Sequence, residues 1–255
     1  MRLLPITTLI ACLSGASTSA AQPTNSGSQS LRFDQCREVT LVFRNVSAET
    51  EPSLLPSGFI ARRNQVGRPI VWLENMFCES IEVDGIAVGA GSYTFLLAGI
   101  IAPDTAPVDP TVALHFYIAH AVTSVPALQK VLSSVGISAE VTADTSIAAP
   151  AADRATVTVG GASPFVVTFV GEIPTTVHTH NWYFWHASDM GRTVLHVDFA
   201  GEVGSRGTGR FEGTTGTRLD EFLRNQPVMT ALNEPSSARV TVTVVEAHGQ
   251  SSTLR

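Results

Sequence analysis

The residues best suited to chemistry lie in one short segment, residues 178–186. It reads His-Thr-His-Asn-Trp-Tyr-Phe-Trp-His, in a chain with only seven histidines. If the segment is extended, His178 and His180 share a face about 6.6 Å apart, which suits two ligands of one divalent metal ion such as zinc. His186 is roughly 26 Å from His178 along a straight strand, so a third ligand has to come from elsewhere. Our primary interpretation is that these imidazoles make ordinary hydrogen bonds and that the protein has no cofactor, and the metal site is the alternative.

The rings of the same segment can also form the wall of a pocket. Four consecutive aromatic residues, 182–185, present rings to both faces of a strand. Indoles need a polar partner when buried, and ligand pockets combine aromatic rings with a few polar groups. We interpret His178, His180, Trp182 and Trp185 as ligand-binding residues at a pocket mouth. Simple core packing of the rings is the alternative.

A second candidate site follows in residues 192–199. One face of this predicted strand carries apolar residues, whereas the other carries Arg192, His196 and Asp198. A carboxylate beside a histidine raises the pKa of the imidazole and can form a proton relay. We therefore predict His196 and Asp198 as catalytic acid–base residues inside a barrel, with Arg192 as a ligand-binding residue. The alternative is an ordinary solvent-facing pair, which contributes under about 1 kcal/mol.

Motifs for covalent catalysis and for phosphate binding are absent from the sequence. It contains no G-x-S-x-G segment and no P-loop. The glycine-rich stretch 204–210 lies between two predicted strands and not before a helix, which favours a hairpin turn over a phosphate-binding loop. Lys130 is the only lysine and falls on a predicted helix.

Composition restricts the class of protein. The chain has 255 residues, 44% of them hydrophobic and 15% charged, with a formal net charge of −6. Disordered chains are richer in charge and poorer in apolar residues. A mildly acidic chain also offers no basic stripe for phosphates, so we expect no nucleic-acid partner.

The first residues are typical of a secretory signal peptide. Arg2 precedes an apolar run, 3–13, and small residues end the segment at Ala21. The run is about half the ~20 residues that a membrane-spanning helix needs, so we expect no membrane association after cleavage. We predict a signal peptide over 1–21, a flexible leader over 22–30 and a single β-rich domain over 31–255. The predicted location is secreted or periplasmic.

Two cysteines remain after the predicted cleavage, Cys36 and Cys78. In an oxidising compartment two cysteines favour one disulfide, and we predict that these two form it. Two buried thiols are the alternative.

Alternating apolar and polar positions predict a mainly β protein. Clear examples are 39–43, 157–159 and 240–244, and further strands are expected at 69–77, 92–101, 111–122 and 193–203. About three short helices are expected: 49–55, one with Ser124 as cap that runs to Val135 and is stopped by Gly136, and 217–224 with Thr217 as cap. We predict one large antiparallel barrel or cone-shaped sheet, since closure removes exposed edges.

One segment resembles a known family. Residues 49–59, ETEPSLLPSGF, lie between two predicted strands, and they resemble the corresponding segment of acetoacetate decarboxylase-like proteins. The resemblance implies a β-barrel or β-cone around a central pocket. Decarboxylases of this family use a Schiff-base lysine activated by a second lysine, and this chain has no lysine pair. No catalytic residue of the family can therefore be carried over.

The residues leave three functions open. The first is a secreted barrel that binds a small organic ligand, with lyase or other acid–base chemistry as its enzymatic form and no covalent lysine. The second is a metal-dependent enzyme built on His178 and His180. The third is a non-enzymatic carrier or structural protein. Neither the ligand nor the oligomeric state follows from the residues.

Overall fold

The computed structural model describes residues 28–43, 54–103, 114–151, 153–223 and 229–247. The strands are β1 Gln29–Phe43, β2 Val71–Val83, β3 Ile86–Ile100, β4 Leu114–Thr123, β5 Ala139–Val141, β6 Thr145–Ala151, β7 Arg154–Val159, β8 Phe165–Ser188, β9 Gly191–Gly213 and β10 Met229–Ala247. The helices are α1 Pro126–Ser134 and α2 Arg218–Leu223. Neither helix has the length and apolar character needed to span a membrane.

The strands close into a barrel. Their order in the sheet is β5-β4-β3-β2-β1-β10-β9-β8-β7-β6, and a further pairing joins β4 to β8. This pairing closes the seven strands from β4 round to β8, and so leaves these strands without open edges. The predicted barrel is confirmed, but it is not wholly antiparallel, because β4 pairs in parallel with both β8 and β5.

The barrel interior is filled by side chains. Trp72 on β2 and Trp182 on β8 are three strands apart, yet their ring centroids are 5.3 Å apart. Phe95 on β3 meets Phe184 on β8 at 6.1 Å in the same way. Such contacts between strands that are not neighbours are possible only across the inside of the barrel.

A second core covers part of the outer surface. Buried outward-facing residues of the barrel, such as Leu41 and Leu73, belong to one cluster with Val157 on β7 and Phe169 on β8. Strands β6 and β7 and the first half of β8 thus pack against the outside of the barrel. As a result, several barrel strands are buried on both faces.

The strand predictions hold with three corrections. The first is Val244, which is exposed although the alternation predicts it buried. Residues 111–113 of one predicted strand lie outside the described residues. The glycine-rich segment 204–210 is not a hairpin turn, because it continues β9 and pairs with both β8 and β10. Strand β1 begins at Gln29, two residues inside the predicted leader.

The helices of the described residues are fewer than expected. Only α1, with nine residues, is longer than two turns. The six-residue α2 is a short turn of helix, and Thr217 caps it by accepting a hydrogen bond from the Asp220 amide at 3.3 Å. Most of the expected helix at 49–55 lies outside the described residues. Ser124 does not cap α1, since the cap position is Val125 and the Ser124 hydroxyl accepts from the Ser92 amide.

The predicted disulfide is confirmed. Cys36 on β1 and Cys78 on β2 face each other in the sheet and are bonded. Both are fully buried in the barrel interior.

Candidate active site

The structure separates the two tryptophans that the sequence places at one pocket mouth. Trp182 points into the barrel, whereas Trp185 belongs to the outer core and is 1% exposed. The Trp185 indole N–H donates to Nδ1 of His115 at 3.2 Å. Burial, together with the nearby Arg62, lowers the pKa of His115, which keeps this ring neutral and able to accept. Trp185 is therefore a satisfied core residue.

His178 and His180 lie on β8, at positions opposite Gly201 and Phe199 of β9. Their side chains are outside the described residues, so the metal site stays a prediction. Within the described part of the chain, no cluster of three histidine, cysteine or acidic side chains could hold a metal ion.

The cofactor question has a direct test. Since our primary interpretation includes no cofactor, we expect elemental analysis of the purified protein to find no stoichiometric metal, and His178→Ala/His180→Ala to leave that result unchanged. His196→Ala is the matched control on the neighbouring strand. A stoichiometric metal that only the double variant loses would establish the metal-dependent alternative.

His196 and Asp198 lie on the outer face of the barrel. Leu195 and Val197, which alternate with them, fill the interior. His196 Nε2 is 2.6 Å from Asn181 Oδ1 but 3.9 Å from the Asp198 carboxylate. The Asp198 side chain is 59% exposed. The proton relay expected inside the barrel therefore lies on its outer face, where the Asp198 carboxylate is beyond hydrogen-bonding distance of His196 Nε2.

Arg192 is also directed away from the barrel interior. Its guanidinium carbon is 5.2 Å from the centre of the Phe59 ring, a distance typical of a cation–π contact. Arg192 therefore lies on the same outer face of β9 as His196 and Asp198, and the ring that it contacts there is that of Phe59.

The barrel interior contains a polar cluster that the sequence patterns did not single out. Glu38 on β1 and Glu74 on β2 are 1% and 3% exposed. Thr40, directly opposite Glu74 in the sheet, donates its hydroxyl to Glu38 Oε1 at 2.6 Å. Tyr93 on β3 donates its phenol to Glu74 Oε1 at 2.8 Å. Two carboxyl groups are thus enclosed in an otherwise aromatic and aliphatic interior.

The pKa of Glu74 reflects this environment. Burial and the negative charge of Glu38 raise it to about 8, against the lowering effect of the hydrogen bond from Tyr93. Burial and the same two carboxylates raise the pKa of Tyr93 well above its usual value. At neutral pH, Glu74 is therefore mainly a neutral acid, which can donate a proton.

Two buried polar atoms near this cluster have no hydrogen-bond partner among the described residues. They are Glu74 Oε2 and the indole Nε1 of Trp72. The two residues occupy successive inward positions of β2, about 6.6 Å apart. Since buried polar groups are nearly always satisfied, these atoms are the natural contacts for a water molecule or for a polar group of a ligand.

A small apolar cavity adjoins the cluster. Its volume is about 10 Å³, enough for about one water molecule. Tyr93 lines it together with Phe95, Phe184 and, from α1, Leu128 and Leu132. Tyr93 therefore connects the cavity to Glu74, and α1 closes the cavity on one side.

A sequence signal for the cluster exists. Glu74 is the only charged residue in the otherwise apolar or amide-bearing run 71–78. In a strand buried on both faces, a single acid is expected to be paired or functional. Glu38 gives a weaker signal. It stands at the start of the mostly apolar run 39–43 and not within it, although the structure buries it together with that run.

Comparison with known proteins supports the fold. No protein-family model and no curated protein matches the chain. Among solved structures, the acetoacetate decarboxylase of Legionella pneumophila subsp. pneumophila str. Philadelphia 1 superposes with a TM-score of 0.60 at 10% identity, over 96% of this chain and 99% of that one. The chain has the acetoacetate decarboxylase-like fold.

Two further structures agree. An acetoacetate decarboxylase-like enzyme from Sphingomonas wittichii RW1 gives a TM-score of 0.55 at 10% identity, over 86% of this chain and 92% of that one. The enduracididine biosynthesis enzyme MppR gives 0.54 at 10% identity, over 92% and 96%. Within this acetoacetate decarboxylase-like fold, the sole lysine, Lys130, is exposed on α1. The barrel interior therefore provides carboxyl groups but no amine.

Proposed function

We propose that the protein is an exported barrel that binds a small organic ligand and acts on it by acid–base chemistry through Glu74, without a Schiff base. The observation that carries this proposal is the neutral, buried carboxyl of Glu74, which has one oxygen without a partner. Perturbed acids in enclosed sites are typical of catalytic groups. His196 and Asp198, proposed from the sequence for this role, lie on the outer surface.

The roles of the cluster follow from its hydrogen bonds. Neutral Glu74 can protonate a ligand oxygen or carbanion through Oε2, while Tyr93 stabilises the resulting carboxylate by its bond to Oε1. The carboxylate of Glu38 accepts a hydrogen bond from the Thr40 hydroxyl, and its negative charge keeps the pKa of Glu74 high. The Trp72 N–H supplies a second donor to the ligand.

Proteins of the same fold guide the choice of ligand class. MppR is known in complex with pyruvate and with the condensation product of pyruvate and imidazole 4-carboxaldehyde. We therefore take small oxo acids as the first probes. Because the cavity holds about one water, such a ligand has to displace side chains of α1 or of the barrel wall.

Export is supported by two features. The predicted signal peptide, residues 1–21, precedes the described residues, and the Cys36–Cys78 disulfide is of the kind formed in oxidising compartments. We propose a secreted or periplasmic location.

The packed interior favours one alternative, a non-enzymatic carrier or structural protein in which the carboxyl pair is only a buried polar contact. Native mass spectrometry with pyruvate and acetoacetate distinguishes the two. We expect the wild type and Lys130→Ala to bind the ligand and to convert it at least tenfold faster than Glu74→Gln, because Gln cannot transfer a proton to the ligand.

The controls make the test decisive. Circular dichroism has to show that Glu74→Gln is folded, and borohydride has to trap no covalent adduct. Equal conversion of the ligand by folded Glu74→Gln would contradict the proposal. Loss of binding in Lys130→Ala would show that amine chemistry had been rejected wrongly.

A further inference from the structure

A short hairpin, residues 62–70, leads into β2. Arg63 pairs with Pro69 across it. Its turn is held by the side chain of Asn64, whose oxygen accepts hydrogen bonds from two amides of the turn, each at 3.0 Å. The hairpin therefore has a defined shape of its own and presents its side chains in fixed positions.

The segment before the hairpin places two isoleucines side by side. Ala61 pairs with Ile100 at the end of β3, and both are buried in the second core. Successive residues of a strand point to opposite faces, so Ile60 and Ile101 lie on the other face. They are neighbours there, since the Ile101 amide donates to the Ile60 carbonyl at 2.9 Å. The two side chains are 65% and 56% exposed, and together they form an apolar surface in water.

Two arginines share the face of these isoleucines. Arg62 follows Ile60 by two positions and so lies on the same side of the segment. Asn64 follows by two more, and its amide donates to the carbonyl of Arg68 across the hairpin at 2.9 Å, which places Arg68 on this side as well. Both arginines are exposed. In the described part of the chain, neither guanidinium makes an ion pair or a hydrogen bond.

This surface is basic although the chain is acidic. The two segments that carry it, 54–73 and 86–103, contain three arginines and no acidic residue, whereas the whole chain has a net charge of −6. At the turn of the hairpin, Val66 adds a third aliphatic side chain that is 73% exposed. We call these exposed residues the hairpin surface: Ile60, Arg62, Val66, Arg68 and Ile101.

The combination of aliphatic side chains and arginines without an acidic partner fits an anionic lipid surface. Anionic lipids attract arginine side chains at the membrane surface. Aliphatic side chains beside them can enter the boundary between headgroups and acyl chains. An acidic polymer in solution would satisfy the arginines but leave the isoleucines in water.

We propose that the hairpin surface binds the protein to the surface of an anionic phospholipid bilayer. Arg62 and Arg68 contact the lipid phosphates. Ile60, Val66 and Ile101 enter the headgroup boundary. The expectation of no membrane association concerned a segment that spans the bilayer, whereas this surface lies on the bilayer without crossing it.

The test is co-sedimentation with vesicles of phosphatidylcholine and phosphatidylglycerol in equal parts, and with phosphatidylcholine alone, at low ionic strength. The protein is purified from the culture medium or the periplasm. We expect the wild type to bind the mixed vesicles, and added salt to weaken the binding because it screens exposed charges. Arg62→Gln/Arg68→Gln should bind them about tenfold more weakly. The matched control, Arg154→Gln/Arg210→Gln, removes two exposed arginines elsewhere and should bind like the wild type.

A second pair of variants tests the apolar part of the hairpin surface. We expect Ile60→Ser/Ile101→Ser to weaken binding to the mixed vesicles about fivefold. The matched control is Val170→Ser/Ile173→Ser, which changes aliphatic side chains of β8 that are 48% and 63% exposed, and it should bind like the wild type. Circular dichroism has to show that all four variants are folded.

Several results would overturn the proposal. They are no binding of the wild type to the mixed vesicles, equal binding to phosphatidylcholine alone, or a variant of the hairpin surface that binds like its control. If the wild type bound heparin as tightly as the mixed vesicles, its partner would be an acidic polymer and the proposal would be wrong. Glu74→Gln is expected to bind the vesicles like the wild type, so this proposal and the acid–base proposal fail separately.

Discussion

The wild type is expected to lose stability as pH rises from 5 to 9, and Glu74→Gln is expected to abolish this loss. The pKa of Glu74 is about 8 in the folded protein, against 4.5 for an unperturbed glutamate. Between these values the folded state binds more protons than the unfolded state, so the free energy of unfolding falls as pH rises. The stabilisation is complete below about pH 4.5 and is lost as pH passes through 8. The full difference is at most about 5 kcal/mol.

The measurement is urea unfolding of both proteins at pH 5, 7 and 9. Gln is neutral at every pH and can still accept the Tyr93 hydrogen bond, so the variant is expected to match the wild type most closely at pH 5 and to exceed it at pH 9. Glu212→Gln, at an exposed carboxylate, is the matched control and should retain the wild-type pH profile. Identical profiles for the wild type and Glu74→Gln would show that Glu74 ionises normally.

Tyr93 offers an independent variant with a defined sign. Its hydrogen bond lowers the pKa of Glu74, so Tyr93→Phe is expected to raise this pKa further and to move the loss of stability to higher pH. A shift toward lower pH would contradict the assigned hydrogen bond. Together, the two variants separate the effect of burial from that of the phenol.

The strands and the disulfide could be predicted because they depend on local patterns. Alternation along residues 39–43 or 157–159 reports extended backbone whichever face is buried. The pairing of Cys36 with Cys78 could be predicted because these are the two cysteines that remain after the predicted cleavage. The glycine-rich end of β9 was mispredicted as a turn because glycine favours turns locally, whereas pairing with strands on both sides overrides that preference.

The candidate site around Glu74 was not predicted, because alternation does not tell which face of a strand is inside. The polar face that carries His196 and Asp198 reads equally well as barrel lining or as outer surface, and the closure of β4 on β8 decides it. The buried run that begins at Glu38 shows the converse case. There the second core covers the outer face, so both faces of the strand are buried over 38–43, and Glu38 looks like the edge of an apolar run.

Removal of the disulfide is expected to cause the second large effect. In Cys36→Ala/Cys78→Ala, the free energy of unfolding should fall by about 4 kcal/mol, because the unfolded chain gains the entropy of an open loop whose ends are 42 residues apart. For a chain of this size, that corresponds to a fall in melting temperature of about 10 °C. Differential scanning calorimetry measures both quantities.

Reduction of the wild type provides the matched control, since it removes the bond without changing the sequence. Both cysteines are fully buried between β1 and β2, so a reductant should reach them only when the barrel opens. We therefore expect reduced wild type, prepared by unfolding in reductant and refolding, to melt close to the double variant, whereas native wild type treated briefly with reductant should melt unchanged. If the double variant melted like the oxidised wild type, the bond would contribute nothing to stability. The joining of β1 to β2, which carry Glu38 and Glu74, would then depend on packing and backbone hydrogen bonds alone.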